Sequence, residues 1–181
     1  QPQLGQLSIG GQRPVDLALA LGKGGRINND YVKTATGLRQ LGQLHKSIAR
    51  EQLNNVRVIR HDAVEVLDRM LPPVSLAEVL IFFPDPWHKK RHHKRRLIQP
   101  PFAALLASRL IPGGGLHLAT DWVPYAEQML AVLDAEPTLR NTAGPGRFSP
   151  RPPERPLTRF EARGERLGHE VRDLHYERVH T

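Results

Sequence analysis

An acidic residue held between two prolines, followed by a tryptophan and a dense basic run, is the stretch best suited to chemistry. The order is Pro84-Asp85-Pro86-Trp87, and cationic side chains follow at Lys89, Lys90, Arg91, Lys94, Arg95 and Arg96. Proline lacks an N–H donor and restricts the residue before it, so we expect Asp85 to be extended and stiffly held. A carboxylate, an indole and a cationic arm together predict a site for a base carried on a polyanion.

The same residues also have a purely structural interpretation. Asp85 could make a turn and Trp87 could pack, which is the role we favour for this indole, while the basic run could be a solvated or targeting segment. Three histidines, His88, His92 and His93, include an i,i+4 pair. The run contains no acid or cysteine and many cations, so we predict that it binds no metal.

Length and composition limit the classes of protein that fit. A chain of 181 residues predicts one domain over 1–181, and because it starts with Gln we expect the N-terminal part of the encoded chain to be missing. The absence of Cys fits a reducing compartment, and no apolar stretch is long enough to cross a bilayer. We therefore predict a cytoplasmic protein without a membrane partner. The formal charge of +8 predicts a polyanionic partner.

The elements around Asp85 are predicted to form an open α/β sheet. An apolar run over 78–83 predicts a buried strand that ends at Pro84, and ligands bind beyond the carboxyl ends of such strands. Asp62 lies between a predicted strand, 56–59, and a predicted helix, 64–71. It could be a helix N-cap, or it could bind a cofactor base or ribose. Asp121 follows a predicted strand at 116–118, so a second acid is expected near Asp85.

The remaining segments complete the expected α/β pattern. Apolar spacing predicts further helices, and Pro112 to Gly115 should end the helix predicted over 100–110. The Pro/Gly/Arg-rich segment 144–156 indicates a mobile basic loop. An edge or hairpin strand is expected over 169–179, packing Val171, Leu174 and Tyr176. The predicted helices cover 38–53, 100–110, 124–133 and 157–167.

Three segments together resemble the bacterial tRNA (guanine-N7-)-methyltransferase family. They are Phe82 to Arg96 (FFPDPWHKKRHHKRR), Ala119-Thr120-Asp121-Trp122 and Thr158-Arg159-Phe160-Glu161, and the match runs from about Asn54 to the C-terminus. The resemblance implies a Rossmann-like class I methyltransferase fold, with a mostly parallel central sheet, helices on both faces and a C-terminal antiparallel strand. It also implies methylation of a guanosine in the tRNA variable loop with S-adenosyl-L-methionine as the methyl donor.

The resemblance also implies roles for individual residues. Asp85 is similar to the family's active-site acid beside the methyl donor, and Asp62 to its cofactor-adenine acid. Lys89 and Asp121 are similar to guanosine or tRNA contacts. The substrate-binding stretch comprises Thr158, Arg159, Phe160 and Glu161. The tRNA is the expected partner, and a monomer or weak homodimer the expected state.

The first fifty residues depart from the family pattern. The glycine-rich cofactor loop should lie at 8–14, where Gly10 is the candidate cofactor contact, and Ala35 stands where a ribose-binding glutamate is expected. Loss of that acceptor predicts weaker cofactor binding. Two alternatives therefore stay open: an impaired methyltransferase-like RNA-binding protein, and a methyltransferase that acts on an exocyclic base amine.

Overall fold

The molecule is built on one seven-stranded sheet. A computed structural model of the chain describes residues 17–20, 31–34, 46, 48–52, 56–59, 61–153, 155, 161, 168 and 170–180. The spatial order of the strands is β3-β2-β1-β4-β5-β7-β6. Their bounds are β1 Leu17–Ala20, β2 Tyr31–Thr34, β3 Val56–Ile59, β4 Leu76–Phe82, β5 Leu110–Thr120, β6 Leu139–Asn141 and β7 Arg172–Arg178.

Most of these strands run in the same direction. The pairs β2–β3 and β4–β5 are parallel, whereas β1 is antiparallel to both β2 and β4. Strand β7 is antiparallel to β5 and β6. Only β1 and β7 are therefore reversed among the described strands, which confirms the predicted mostly parallel sheet and its C-terminal antiparallel strand.

Helical segments connect these strands. Helix α1, Ala63–Glu65, continues as a π-helical turn over Val66–Met70, and a 3₁₀ helix covers Lys90–Arg95. Helix α2 covers Pro100–Arg109 and helix α3 covers Val123–Asp134, and both carry a proline in the first turn, where its missing N–H costs nothing. Lys46 and residues 48–50 are also helical.

The core lies between the sheet and helices α2 and α3. Val79, Ile81, Leu116, Leu118 and Leu174 project from β4, β5 and β7 on the same face, as the alternation of side chains along paired strands requires. They pack with fully or almost fully buried helical side chains: Phe102, Leu106, Tyr125, Met129 and Leu133. This burial fixes β4 and β5, whose carboxyl ends lead to Asp85 and Asp121.

Strand β5 corrects the prediction that Pro112 to Gly115 ends a helix. Helix α2 ends at Arg109, and the strand starts at once and includes these residues. The pairing with β4 shifts between Leu76 and Glu78, which absorbs the extra residues as an irregularity. Gly114 is required there, since a Cβ would lie 2.8 Å from the Ile111 carbonyl oxygen.

The strand predicted over 169–179 is present as β7, but its expected position at an edge is wrong. It lies inside the sheet between β5 and β6, not at an edge, because the short strand β6, which the sequence did not indicate, covers its outer side. Leu174 and Tyr176 pack in the core as predicted. Most of the predicted helices 38–53 and 157–167 lies outside the described residues.

Candidate functional site

The carboxyl ends of β3, β4 and β5 meet at one edge of the sheet. Strand β3 is parallel to β2, and the two antiparallel pairings through β1 bring β2 into the same direction as β4. Asp62, Asp85 and Asp121 each come shortly after one of these ends. The strand order therefore places all three predicted acids along this edge.

The rim loop, residues 83–87, presents Asp85 to solvent. Pro84 is buried, Asp85 is exposed, and the Asp85 Oδ1 accepts the backbone N–H of Trp87 at 3.0 Å. Phe83 and Trp87 have φ values of 51° and 45°, which non-glycine residues rarely adopt. Such a conformation persists only where its surroundings enforce it, so the loop holds the carboxylate in a fixed place.

Arg96 ties the rim loop to helix α3. Its Nε donates to the Pro86 carbonyl at 2.8 Å and its Nη1 donates to the Gln128 Oε1 at 2.6 Å. The guanidinium also lies over the Tyr125 ring, 4.8 Å from the centroid, and the residue is only 4% exposed. Burial lowers the pKa of Arg96, although the nearby Tyr125 acts in the opposite direction. Arg96 is therefore a structural residue, unlike the exposed cations before it.

The basic arm, residues 88–95, begins directly after the rim loop. Its exposed lysines and arginines are Lys89, Lys90, Arg91, Lys94 and Arg95. The turn of the 3₁₀ helix points His93 inward, where its Nε2 lies 3.0 Å from Arg96 Nη2. Desolvation, and then the charges of Arg95 and Arg91, lower the pKa of His92. His92 therefore adds little to the positive charge of the arm at neutral pH.

Both tryptophans contact the basic arm. The Arg95 guanidinium lies 5.1 Å from the Trp87 ring centroid, and the His92 ring lies 5.9 Å from it on a tilted plane. Trp122, which precedes helix α3, meets the His88 ring edge-on at 4.2 Å. Trp87 therefore packs within the protein, in the role favoured for it, and the two indoles join the arm to the sheet edge.

Asp62 makes the contacts expected of a helix cap. Its Oδ1 accepts the backbone N–H groups of Val64 at 2.9 Å and Glu65 at 3.2 Å, at the start of α1. The structural alternative for this residue is thus realised. Its position after β3 still lies on the edge where a cofactor-binding acid was predicted.

Glu161 lies on the opposite face of the sheet from the core, and its carboxylate is buried. Both of its oxygens accept bonds from Arg155, at 2.8 and 2.6 Å. Arg155 also binds Asp173 on β7, and its guanidinium lies 5.8 Å from the Phe82 ring centroid. Glu161 is thus joined through Arg155 to Phe82, on the strand that leads to Asp85.

Several predicted residues lie outside the described part of the chain: Gly10, Thr158, Arg159 and Phe160. Lys89 and Asp121 are described, Lys89 as an exposed residue of the basic arm and Asp121 as a partly buried one after β5. Sequence reasoning missed the structural roles of Arg96 and Arg155. Each stands in a basic or proline-rich run, and only the folded contacts distinguish it from its neighbours.

Metal sites and membrane spans are two further features that the described residues do not show. No cluster of three His, Asp or Glu side chains is placed to hold a metal ion there. Among the helices of this part of the chain, none has the length and apolar character of a membrane span.

Comparison with known proteins places this arrangement in a family. The family model described as "Putative methyltransferase" matches residues 34–174. The chain is 63% identical over 155 residues to the tRNA (guanine-N(7)-)-methyltransferase of Verminephrobacter eiseniae, covering 86% of this chain and 56% of that protein. It is 52% identical over a 182-residue alignment to the same enzyme of Paracidovorax citrulli, covering 96% of this chain and 72% of that one.

Solved structures agree on the fold. TrmN from Thermus thermophilus has a TM-score of 0.51 at 18% identity, covering 82% of this chain and 36% of that one. NSun6 from Pyrococcus horikoshii has a TM-score of 0.52 at 16% identity, covering 83% and 41%. These likenesses, together with the mixed sheet, confirm the predicted Rossmann-like class I methyltransferase fold.

The chain matches only part of the length of these relatives. The chain spans 56% of the Verminephrobacter eiseniae protein and 65% of the Thiobacillus denitrificans protein, to which it is 61% identical. The family model covers most of the chain all the same, and the matches include the rim loop, the basic arm and the end of β5. The chain belongs to the tRNA (guanine-N7-)-methyltransferase family.

Proposed function

We propose that the protein methylates N7 of a guanine in tRNA, with S-adenosyl-L-methionine as the methyl donor. The observation that carries the proposal is the position of Asp85, an exposed carboxylate on a stiff loop directly beside an exposed cationic arm. The relatives named above support the reaction, and NSun6, a neighbour of the same fold, was crystallised "with SFG".

The described residues fit a cationic methyl donor. When bound, S-adenosylmethionine supplies an electrophilic methyl group on a positively charged sulfur. The sheet edge presents carboxylates at Asp85 and Asp62, and acids are the chemically suitable partners for such a cation and for ribose or adenine donors. We propose these two residues, with Gly10, as the cofactor contacts.

Asp85 is proposed to hold the guanine rather than to move a proton. Guanine N7 has a lone pair and no hydrogen, so its methylation needs no general base, and the new N–C bond leaves the base with a positive charge. The Asp85 carboxylate can accept the N1–H and N2–H donors of guanine and offset that charge. Because the rim loop is held by its own contacts, this acceptor is in place before the substrate binds.

The basic arm and the C-terminal stretch are proposed to bind the tRNA. Exposed lysines and arginines suit phosphate contacts, and Lys89 is the cation nearest in sequence to the rim loop. Asp121, Thr158, Arg159, Phe160 and Glu161 are proposed as substrate contacts on the strength of the family motif. The variable-loop guanosine is the proposed target.

The first prediction tests Asp85 directly. Asp85→Ala in the full-length protein should lower kcat for tRNA methylation by about 100-fold or more, because the base loses its positioning carboxylate. Binding of tRNA should change little, since the basic arm is intact. The measurement pairs a methyl-transfer assay with filter binding.

Asp68→Ala is the matched control, because Asp68 is also exposed but lies before β4, away from the rim loop. It should retain full activity. Equal loss of binding and transfer in Asp85→Ala would contradict the assigned role. Alkali-stable methylated product would instead indicate an exocyclic amine as the target, and tRNA binding without cofactor heat in calorimetry would indicate a binding protein.

A further inference from the structure

A buried network of titratable side chains joins β5, β7, Arg155 and Glu161. Arg155 forms two parallel bonds with Glu161, and two more with Asp173, from Nε to Oδ1 and from Nη2 to Oδ2, both at 2.9 Å. His117 Nε2 lies 2.7 Å from the Asp173 Oδ1. All four residues are at most 5% exposed.

One guanidinium thus joins two carboxylates that water scarcely reaches. Burial alone would lower the pKa of Arg155, but the bonds to Glu161 and Asp173 outweigh it and raise the pKa. Only arginine has a planar fork that can bind two carboxylates through paired bonds, whereas lysine offers a single point charge. The site therefore depends on the shape of Arg155 as well as on its charge.

The network packs against Phe82, on the strand that leads to Asp85. The Phe82 ring packs edge-on against His117, with 4.9 Å between centroids, and Arg155 stacks over the same Phe82 ring. Phe82 is the last residue of β4, and the rim loop follows it. Arg155 consequently contacts both the base of the rim loop and the side chain of Glu161.

We propose that Arg155 is a positioning residue, which fixes Glu161 relative to the strand end that carries Asp85. The inference rests on the proposed function, because Asp85 and Glu161 are both proposed there to contact the substrate. Arg155 is itself buried, and it acts through its contacts with Glu161 and Phe82. A displacement of about 1 Å between two substrate-binding segments can lower a rate roughly 100-fold.

The test compares Arg155→Lys with Arg109→Lys in the full-length protein. Arg109 is a suitable control because it too is mostly shielded and bonds to carbonyls, at Leu67 and Asp68, but it precedes β5 at the opposite end of the sheet. Arg155→Lys should lower kcat by about tenfold or more while the Kd for tRNA changes by less than about threefold. Arg109→Lys should change neither value.

Asp173→Asn is the second variant, and it keeps the inference testable if Arg155→Lys does not fold. This change keeps the shape of the side chain but weakens the bonds between Arg155 and β7. We therefore expect kcat to fall by a larger factor than the affinity for tRNA. Added methylguanidinium should restore part of the activity of Arg155→Ala, which loss of stability alone would not allow.

The outcomes separate the two proposals. A native protein that does not methylate tRNA overturns both of them. If the native protein is active but Arg155→Lys and Asp173→Asn match Arg109→Lys in kcat, the positioning role is overturned and the proposed function stands. Equal losses of kcat and of tRNA affinity would likewise overturn the positioning role.

Discussion

Residues of the same type within one short run have opposite roles here. Arg95 is exposed in the basic arm, whereas Arg96 is buried against helix α3. The 3₁₀ helix ends between them, and this turn aims Arg96 at the Pro86 carbonyl and at Gln128. The sequence indicates a cationic run but gives no means of separating these two side chains.

The contacts of Arg96 predict a specific loss of stability. Arg96→Lys should lower the free energy of unfolding by about 2 kcal/mol, because a lysine cannot serve both the Pro86 carbonyl and Gln128. The thermal midpoint should fall by roughly 5 °C in a protein of this size. Arg91→Lys, a change at an exposed position, should leave the midpoint unaltered, and an equal fall in both variants would contradict the structural role of Arg96.

Asp62 illustrates a second limit of sequence reasoning at this scale. An acid between a strand and a helix suits both a cap and a ligand contact, and a single sequence does not choose between them. The structure shows the cap. The position along the sheet edge, which supports the cofactor role, follows only from the order of the strands.

At the scale of elements, the strands and helices that prolines start or end could be predicted from the sequence. Strand β4 ends one residue before the predicted end, and helices α2 and α3 lie within a residue or two of the expected bounds. The signals there are local: prolines at the helix starts and a continuous apolar run in a buried strand. These elements position Asp85 and Asp121, so the edge of the sheet was accessible from the sequence.

The elements that were missed depend on distant partners. Pro112 to Gly115 have turn-forming residues, yet pairing with β4 draws them into β5. Strand β6 is only three residues long and exists through its pairing with β7. The contacts of Glu161 were equally inaccessible from the sequence, because Arg155, which binds Glu161, is held in turn by Asp173 on β7. Long-range pairing overrides local propensity in each case.

The basic arm predicts how tRNA binding depends on salt. Replacing Lys90 and Lys94 by Gln should weaken binding and reduce the slope of log Kd against log salt by about one unit for each phosphate that is no longer neutralised. Arg69→Gln, at an exposed position away from the arm, should keep the native slope. A slope unchanged in the Lys90/Lys94 variant would show that the arm does not bind phosphates.

At the scale of the whole molecule, both faces of β5 are buried by different means. One face packs in the apolar core through Leu116 and Leu118, and the other carries His117, which contacts Asp173 in the buried network. Removing a charge from such a network costs more than removing an exposed one, because the remaining charges stay buried. The stability of the fold should therefore depend on pH through this second face.

Asp173 determines the direction of that dependence. Burial would raise the pKa of Asp173, but the bonds from His117 and Arg155 lower it below the ordinary 3.8. A lowered carboxyl pKa stabilises the folded state above the unfolded pKa, and this stabilisation is lost as the pH falls through the lower, folded pKa. The stability of the native protein should exceed that of Asp173→Asn at neutral pH, and the difference should narrow below pH 3.8.

Urea unfolding of both proteins between neutral and acidic pH measures this difference. Asp68→Asn serves as the comparison, because Asp68 is an exposed carboxylate outside the network. Its stability should follow that of the native protein at every pH. A difference for Asp173→Asn that stays constant through the acidic range would indicate that the network does not depend on the charge of Asp173.

The chain has two tryptophans, and both lie where the rim loop and the basic arm meet the sheet. Indole emission is sensitive to nearby cations and imidazoles, and each ring here has such a neighbour. The tryptophan fluorescence of this chain thus originates from the edge that is proposed to receive the nucleobase. A change in tryptophan emission should therefore report the binding of a ligand at that edge without an added dye.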